Sequence, residues 1–281
     1  MKRGLVLEGG AMRGMYTAGV MDVMMEAGIE FDGAIGVSAG AAFGLNYKTK
    51  QIGRVIRYNM QFCNDPRYCG LYSLITTRNI YNTEFAYNIV PLQYDPFDFE
   101  AYAKHPMEFV VVCTDIETGK PIYHPYGGKE DHLFDWIRAS ASMPLVSEIV
   151  EIDGLKMLDG GISDPLPLRH FEQLGYNKNV VILTQPADYR KKKTSAMLPL
   201  KLMYRKYPNL IHAMKVRHEV YNESVEYINR KEAAGDILVL RPESPLPVSR
   251  VEKNPKKLRE CYEIGRAAAL QRLEEIKQFL A

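Results

Sequence analysis

Cysteine is scarce and unpatterned in this chain. Cys63, Cys69, Cys113 and Cys261 include no CxxC pair and have no histidine-rich neighbourhood, which argues against a zinc site. Long apolar runs are missing too. After the basic start, Leu5 to Leu7 is a three-residue apolar stretch, whereas a secretory signal needs about 7–15 apolar residues. The uncharged segment from Gly33 to Tyr47 falls short of the ~20 residues of a spanning helix. A reducing cytoplasm is the expected address. Charge of one sign is also lacking: 36 Lys and Arg against 34 Asp and Glu leave +2, so a generally polybasic nucleic-acid binder is excluded.

What remains is an ordinary globular composition. The 281 residues are 46% hydrophobic and 25% charged, enough for a core that needs no disulfide or metal staple. Leu5 to Leu7 reads as a strand ending in a Gly-rich turn. The helix expected from about Met15 to Ala27 is apolar nearly all round, with Asp22 and Glu26 on one narrow face, so it must be mostly covered. Gly33 to Val37 is a second strand, and Ser38 opens a second helix, which together make a βαβ pattern. Phe109 to Thr114 and Asn179 to Thr184 are apolar runs of the kind buried on both faces of a sheet. Asp153-Gly154 between two short strands signals a hairpin. Beyond Pro186 the chain becomes helical and basic, with one strand (Ile237 to Leu240) and a last helix from about Pro255. The expected organisation is an α/β core over residues 1–188 and a mainly helical region over 189–281, its strand packed on the core.

Three short motifs carry chemistry. Gly36-Val37-Ser38-Ala39-Gly40 is a GxSxG pentapeptide between a strand and a helix, the context in which a serine nucleophile sits on a strained turn. The alternative is a small-residue turn that only packs helix on strand. Asp159-Gly160-Gly161 follows a short strand; Asp159 can accept the Ser38 proton if burial lifts its pKa above about 3.9. An Asp-Gly turn without chemistry is the competing reading. The loop from Gly9 to Gly14 fails the GxGxxG spacing of a dinucleotide site. Its N–H groups at Gly9, Gly10 and Ala11 instead suit an oxyanion, while Arg13 meets a substrate phosphate or simply holds the loop. None of the six histidines lies in a Gly/Pro-flanked late loop of the kind that delivers a triad histidine, and His170 reads as a helix-surface residue. Ser140 and Ser142, shortly before Pro144, read as helix-end packing.

Taken in order, the Gly-Gly-x-x-Arg-Gly, Gly-x-Ser-x-Gly and Asp-Gly-Gly motifs resemble the patatin-like phospholipase family. Ala139 to Pro144, and Thr114-Asp115 to Thr118-Gly119, are further similar blocks, and the resemblance spans residues 1–188. It implies a three-layer α/β/α acyl hydrolase with a mostly parallel sheet, a Ser38–Asp159 dyad, no metal or other cofactor, and phospholipid or other acyl-ester substrates. Ala11 departs from the family's frequent third glycine, and a positive φ there would strain the loop.

One segment breaks the charge balance. From Tyr189 to His218 there are nine Lys and Arg and no acid, which leaves 27 basic against 34 acidic residues elsewhere. Arg190 to Arg217 therefore suits peripheral contact with an anionic membrane. It also suits a solvated helical surface, because Pro199 and Pro208 interrupt any long amphipathic helix. The expected activity is that of a serine acyl hydrolase of phospholipase A type; a soluble esterase or thioesterase, or a catalytically silent lipid-binding adaptor, are the other readings.

Overall fold

The computed structural model describes residues 1–126 and 132–281. The apolar runs assemble into one sheet, with eight strands among the described residues. They are β1 (Lys2–Leu7), β2 (Gly33–Val37), β3 (Glu108–Asp115), β4 (Pro121–Tyr126), β5 (Val150–Ile152), β6 (Leu155–Asp159), β7 (Tyr176–Ile182) and β8 (Ile237–Leu240). Their order is β5-β6-β3-β2-β1-β7-β8, with β4 paired to β3. The stretch β3-β2-β1-β7-β8 is parallel throughout, while β4, β5 and β6 pair antiparallel. Asp153 and Gly154 both take positive φ, 52° and 78°, as a two-residue hairpin of the primed type requires.

Alternation along the strands divides the core between two faces. Leu5, Leu7 and Val111 pack with the helices Gly14–Glu26, Ala39–Thr49 and Pro255–Gln271. Val6, Ile35 and Val112 pack against Leu168 and Phe171, and against Tyr221, Val225 and Ile228 of the helix Pro208–Ala233. Helices thus cover both faces of the sheet, which is why its strands are apolar on consecutive residues.

The nearly all-apolar helix Gly14–Glu26 is buried from Gly14 to Met25. The C-terminal helix Pro255–Gln271 lies against it through a glycine crossing. A Cβ on Gly19 would sit 2.1 Å from the Tyr262 carbonyl oxygen, and one on Gly265 2.1 Å from that of Tyr16. Asp22 lies on this seam and not on a shared solvent face with Glu26. It accepts hydrogen bonds from the Tyr262 hydroxyl at 2.7 Å and the Gly53 N–H at 2.9 Å, whereas Glu26 meets Arg266 at the surface. The last strand, β8, joins the sheet in parallel with β7.

The topology also places a crevice. From β1 the chain runs outward to β2 and β3, and it later returns to β7 on the opposite side of β1. Such a reversal opens a cleft at the carboxyl ends of the central strands, where Leu7 and Val37 end. Among the described residues there is no cluster of three metal-ligating side chains, and no helix long and apolar enough to cross a membrane. The four cysteines are free and buried.

Candidate active site

Strand β2 ends at Val37, the helix begins at Ala39, and Ser38 between them is held at φ 55°, ψ −122°. A non-glycine residue in that region stores about 1–3 kcal/mol of strain and persists only where its surroundings fix it. The flanking glycines are needed for close approach. A Cβ on Gly36 would lie 2.7 Å from the Ala41 backbone, and one on Gly40 2.4 Å from the Leu7 carbonyl oxygen. Ser140, on the helix Leu133–Ala141, completes the clamp. Its hydroxyl accepts from the Ser38 N–H at 2.9 Å and donates to the Val112 carbonyl at 2.6 Å. The sequence reading of Ser140 as helix-end packing therefore missed a tie to the elbow. The small-residue block from Ala139 to Pro144 is its only local signal, because its partner lies 102 residues away.

Asp159 closes β6, whose pairing sets Asp159 opposite Cys113 on β3. Its N–H donates to the Ser142 carbonyl at 2.8 Å, and its carboxylate accepts from the Gly161 N–H at 2.7 Å. Burial raises the pKa of this carboxyl above the ordinary value. Arg217, the Ser38 hydroxyl, the Gly161 N–H and Lys191 each pull it back down, and burial prevails. Ser38 and Asp159 line the same small chamber.

The glycine-rich loop runs across the elbow. A Cβ on Gly9 would be 2.9 Å from that of Ser38, so backbone passes directly beside the serine. Among the described residues, the N–H groups of Gly9, Gly10 and Ala11 donate to no protein acceptor. Ala11 has φ 51°, so alanine does occupy a left-handed position, at a cost of about 1–2 kcal/mol. Glu8, just ahead of this loop, is buried and used: it accepts from the Thr184 N–H and hydroxyl and from the Tyr221 hydroxyl.

Two chambers meet at Ser38. The larger, about 790 Å³, is walled by side chains such as Met12, Phe43, Tyr87, Leu145 and Met214. The smaller, about 80 Å³, holds Asp159, Glu8, the glycine-rich loop and four cations: Arg13, Lys191, Arg217 and Arg250. Among the described residues no histidine lines the small chamber. His218 borders the large one, and His170 is half-buried with its ring stacked on Tyr123 at 3.4 Å.

The basic segment from Arg190 to Arg217 does not form one outer surface. Arg217 turns inward and its Nε donates to the Gly161 carbonyl at 2.6 Å. The Lys191 ammonium sits 4.3 Å from the centre of the Tyr221 ring. Its pKa is lowered to about 8 by burial, and next by Arg217. Arg190, Lys192, Lys193, Lys201, Arg205, Lys206 and Lys215 remain exposed.

The family model for patatin-like phospholipase matches residues 5–171. The chain belongs to the patatin-like phospholipase family. Residues 207–281 match a domain of unknown function, DUF6363. The uncharacterized protein YjjU of Escherichia coli K12 is 25% identical over 269 residues, covering 93% of this patatin-like chain and 74% of its own. The lysophospholipase nte1 of Aspergillus oryzae is 29% identical over 179 residues, which is 61% of this chain but only 11% of the fungal protein. An uncharacterized NTE family protein of Mycobacterium tuberculosis H37Rv, Rv1063c, is 28% identical over 58% of this chain and 44% of its own. Among solved structures, VipD from Legionella pneumophila superposes with a TM-score of 0.50 at 12% identity, over 98% of this chain and 67% of that one. That likeness concerns the fold alone.

Proposed function

We propose that this patatin-like chain hydrolyses lipid acyl esters with a Ser38–Asp159 dyad. The observation that carries the reading is the buried Asp159 carboxyl, raised in basicity by its burial and lining one small chamber with a serine on a strained elbow. Asp159 takes the proton as Ser38 Oγ attacks the acyl carbonyl, and the N–H groups of Gly9, Gly10 and Ala11 receive the oxyanion. The proton passes to the departing alcohol as the acyl–oxygen bond breaks. Water, deprotonated by Asp159, then attacks the acyl-serine, and Asp159 returns the proton to Ser38 Oγ as the acyl–serine bond breaks and the fatty acid leaves. The large apolar chamber takes the acyl chain, and Arg13 faces the headgroup side.

A panel of acyl esters tests this with wild type, Ser38→Ala and Asp159→Asn. Each substitution is expected to cost about 10⁴–10⁶ in kcat, and the double variant no more than either alone. A single variant within tenfold of wild type rejects the dyad. Turnover of short esters with no gain on phospholipid favours the soluble esterase or thioesterase. Lipid binding without any turnover by wild type favours the adaptor.

Exposed apolar side chains support peripheral contact with an anionic membrane. Leu71 and Ile75 on the helix Leu71–Thr77, and Leu198, Leu202 and Met203 on the helix Met197–Met203, are 63–72% exposed. The adjoining segment is tied to the second helix by the Leu145 N–H, which donates to the Tyr204 hydroxyl at 3.2 Å. Lys192, Lys193 and Lys201 lie outside, each worth about 1 kcal/mol near an anionic surface. Vesicle sedimentation should show salt-sensitive binding that falls when these three become Gln. Binding indifferent to salt and to the triple substitution would remove the membrane from this account.

A further inference from the structure

The small polar chamber is out of electrical balance. Arg13, Lys191, Arg217 and Arg250 line it, and among the described residues its carboxylates are Glu8 and Asp159. Two positive charges are left over. Glu8 is already engaged by Thr184 and Tyr221, and among the described residues none of the four cations makes a salt bridge. Arg13 Nε is buried without a hydrogen-bond partner. Arg13, Lys191 and Arg217 are half-buried and Arg250 is exposed; like charges gathered so closely repel one another unless an anion joins them. Burial is the main cause of the lowered pKa of Lys191; Arg217, Arg13 and Arg250 lower it further, and Glu8 raises it.

Three of the cations come from outside the block that carries the dyad. Lys191, Arg217 and Arg250 all follow residue 171, where the patatin match ends. Lys191 leads a connecting segment, Arg217 sits on the helix Pro208–Ala233, and Arg250 lies in the loop after β8. Three separate segments thus converge on one small chamber next to Ser38.

We propose that Lys191, Arg217 and Arg250, together with Arg13, form a site for a phosphate dianion, and that the preferred substrate is an acyl ester whose headgroup is a phosphomonoester. This rests on the hydrolase reading and adds the headgroup class to it. A phosphomonoester brings close to two negative charges and three acceptor oxygens at neutral pH, which match the surplus charge and the forked guanidinium donors. A quaternary ammonium headgroup is disfavoured. It would add a cation to the cluster, and the nearby aromatic face of Tyr221 is already covered by Lys191. Lys191, Arg217 and Arg250 also border the 790 Å³ chamber, so the cluster stands where the two chambers meet, and the 80 Å³ of the smaller one suits a small headgroup.

The test compares three monomeric short-chain substrates with the same acyl group: a glycerol phosphomonoester, its phosphocholine counterpart and the neutral glycerol ester. Wild type should favour the phosphomonoester at least tenfold in kcat/KM over both others. Arg250→Gln and Lys191→Gln should each reduce the phosphomonoester-to-neutral ratio about three- to tenfold, chiefly through KM. Calorimetry on Ser38→Ala reads the site without turnover: the phosphomonoester should bind, and Arg250→Gln in that background should weaken it. Inorganic phosphate distinguishes the source. Competition with the phosphomonoester supports a headgroup site, whereas saturable, Arg250-dependent phosphate binding without headgroup preference assigns the same cluster to free phosphate. Equal kcat/KM on all three esters, with no phosphate binding, overturns the proposal. No hydrolysis of any ester defeats the hydrolase reading instead, and calorimetry still decides the anion site.

Discussion

Ser140→Ala probes whether the elbow must be held from behind. The alanine removes the acceptor of the Ser38 N–H and one donor to the Val112 carbonyl, at a position with no solvent exposure. An unpaired buried N–H costs about 1–3 kcal/mol, and the lost contact at the carbonyl adds about 0.5–1.5 kcal/mol. The sum is about 1.5–4.5 kcal/mol, or roughly 3–8 °C in Tm for a protein of this size. The functional consequence is separate. Ser38 sits in a strained conformation, and relaxation by even about 1 Å can cost ~100-fold in rate. At a temperature where the variant is fully folded, kcat on a short ester should fall about 10- to 100-fold with KM unchanged. Inactivation by a fluorophosphonate should slow in parallel. Ser140→Cys, which keeps a weak acceptor, should fall between the two. Wild-type kcat in a variant whose Tm has dropped would show that Ser140 only packs, and that the elbow holds itself.

Ala11→Gly should stabilise the protein by about 0.5–1 kcal/mol, because it relieves the positive φ of the glycine-rich loop; an unchanged or lower Tm in differential scanning calorimetry would contradict the strain. Gly40→Ala should yield little folded protein, as judged by circular dichroism and expression level, since its methyl would meet the Leu7 carbonyl at 2.4 Å; a native-like Tm would show that the elbow tolerates more bulk than the geometry allows. The pH–rate profile should lose activity on the acid side with a midpoint above the ordinary carboxylate value, because Asp159 must be ionised to accept the proton and burial raises its pKa. Arg217→Gln removes the largest influence lowering that pKa, so the acid limb should move to higher pH; an unmoved limb would mean that another group sets it.

Local features were readable in the sequence because they are enforced by neighbours in the chain. Val37, Ser38 and Ala39 show a strand stopping, a turn and a helix starting. Asp153-Gly154 needs only its own backbone angles to mark a hairpin, and apolar residues on consecutive positions of β3 and β7 announce burial on two faces. The dyad candidates were visible as motifs, and the order of motifs carried the family. Convergence was not visible. Ser140 reaches Ser38 only because β2 and β3 are paired and the following helix returns over them. The basic segment read as one outward stretch, yet the turn of the helix Pro208–Ala233 sends Arg217 to the Gly161 carbonyl while Lys215 stays in solvent. Asp22 read as half of a surface pair, and only the docking of Tyr262 from the far end of the chain explains its burial.

The most direct test of the hydrolase reading is covalent labelling with a fluorophosphonate followed by peptide mapping. Wild type should carry one adduct, on Ser38, formed in step with loss of ester hydrolysis. Asp159→Asn should label at least a hundredfold more slowly, since the serine loses the base that takes its proton. An adduct on Ser140 or Ser142, or undiminished labelling in Asp159→Asn, would contradict the dyad.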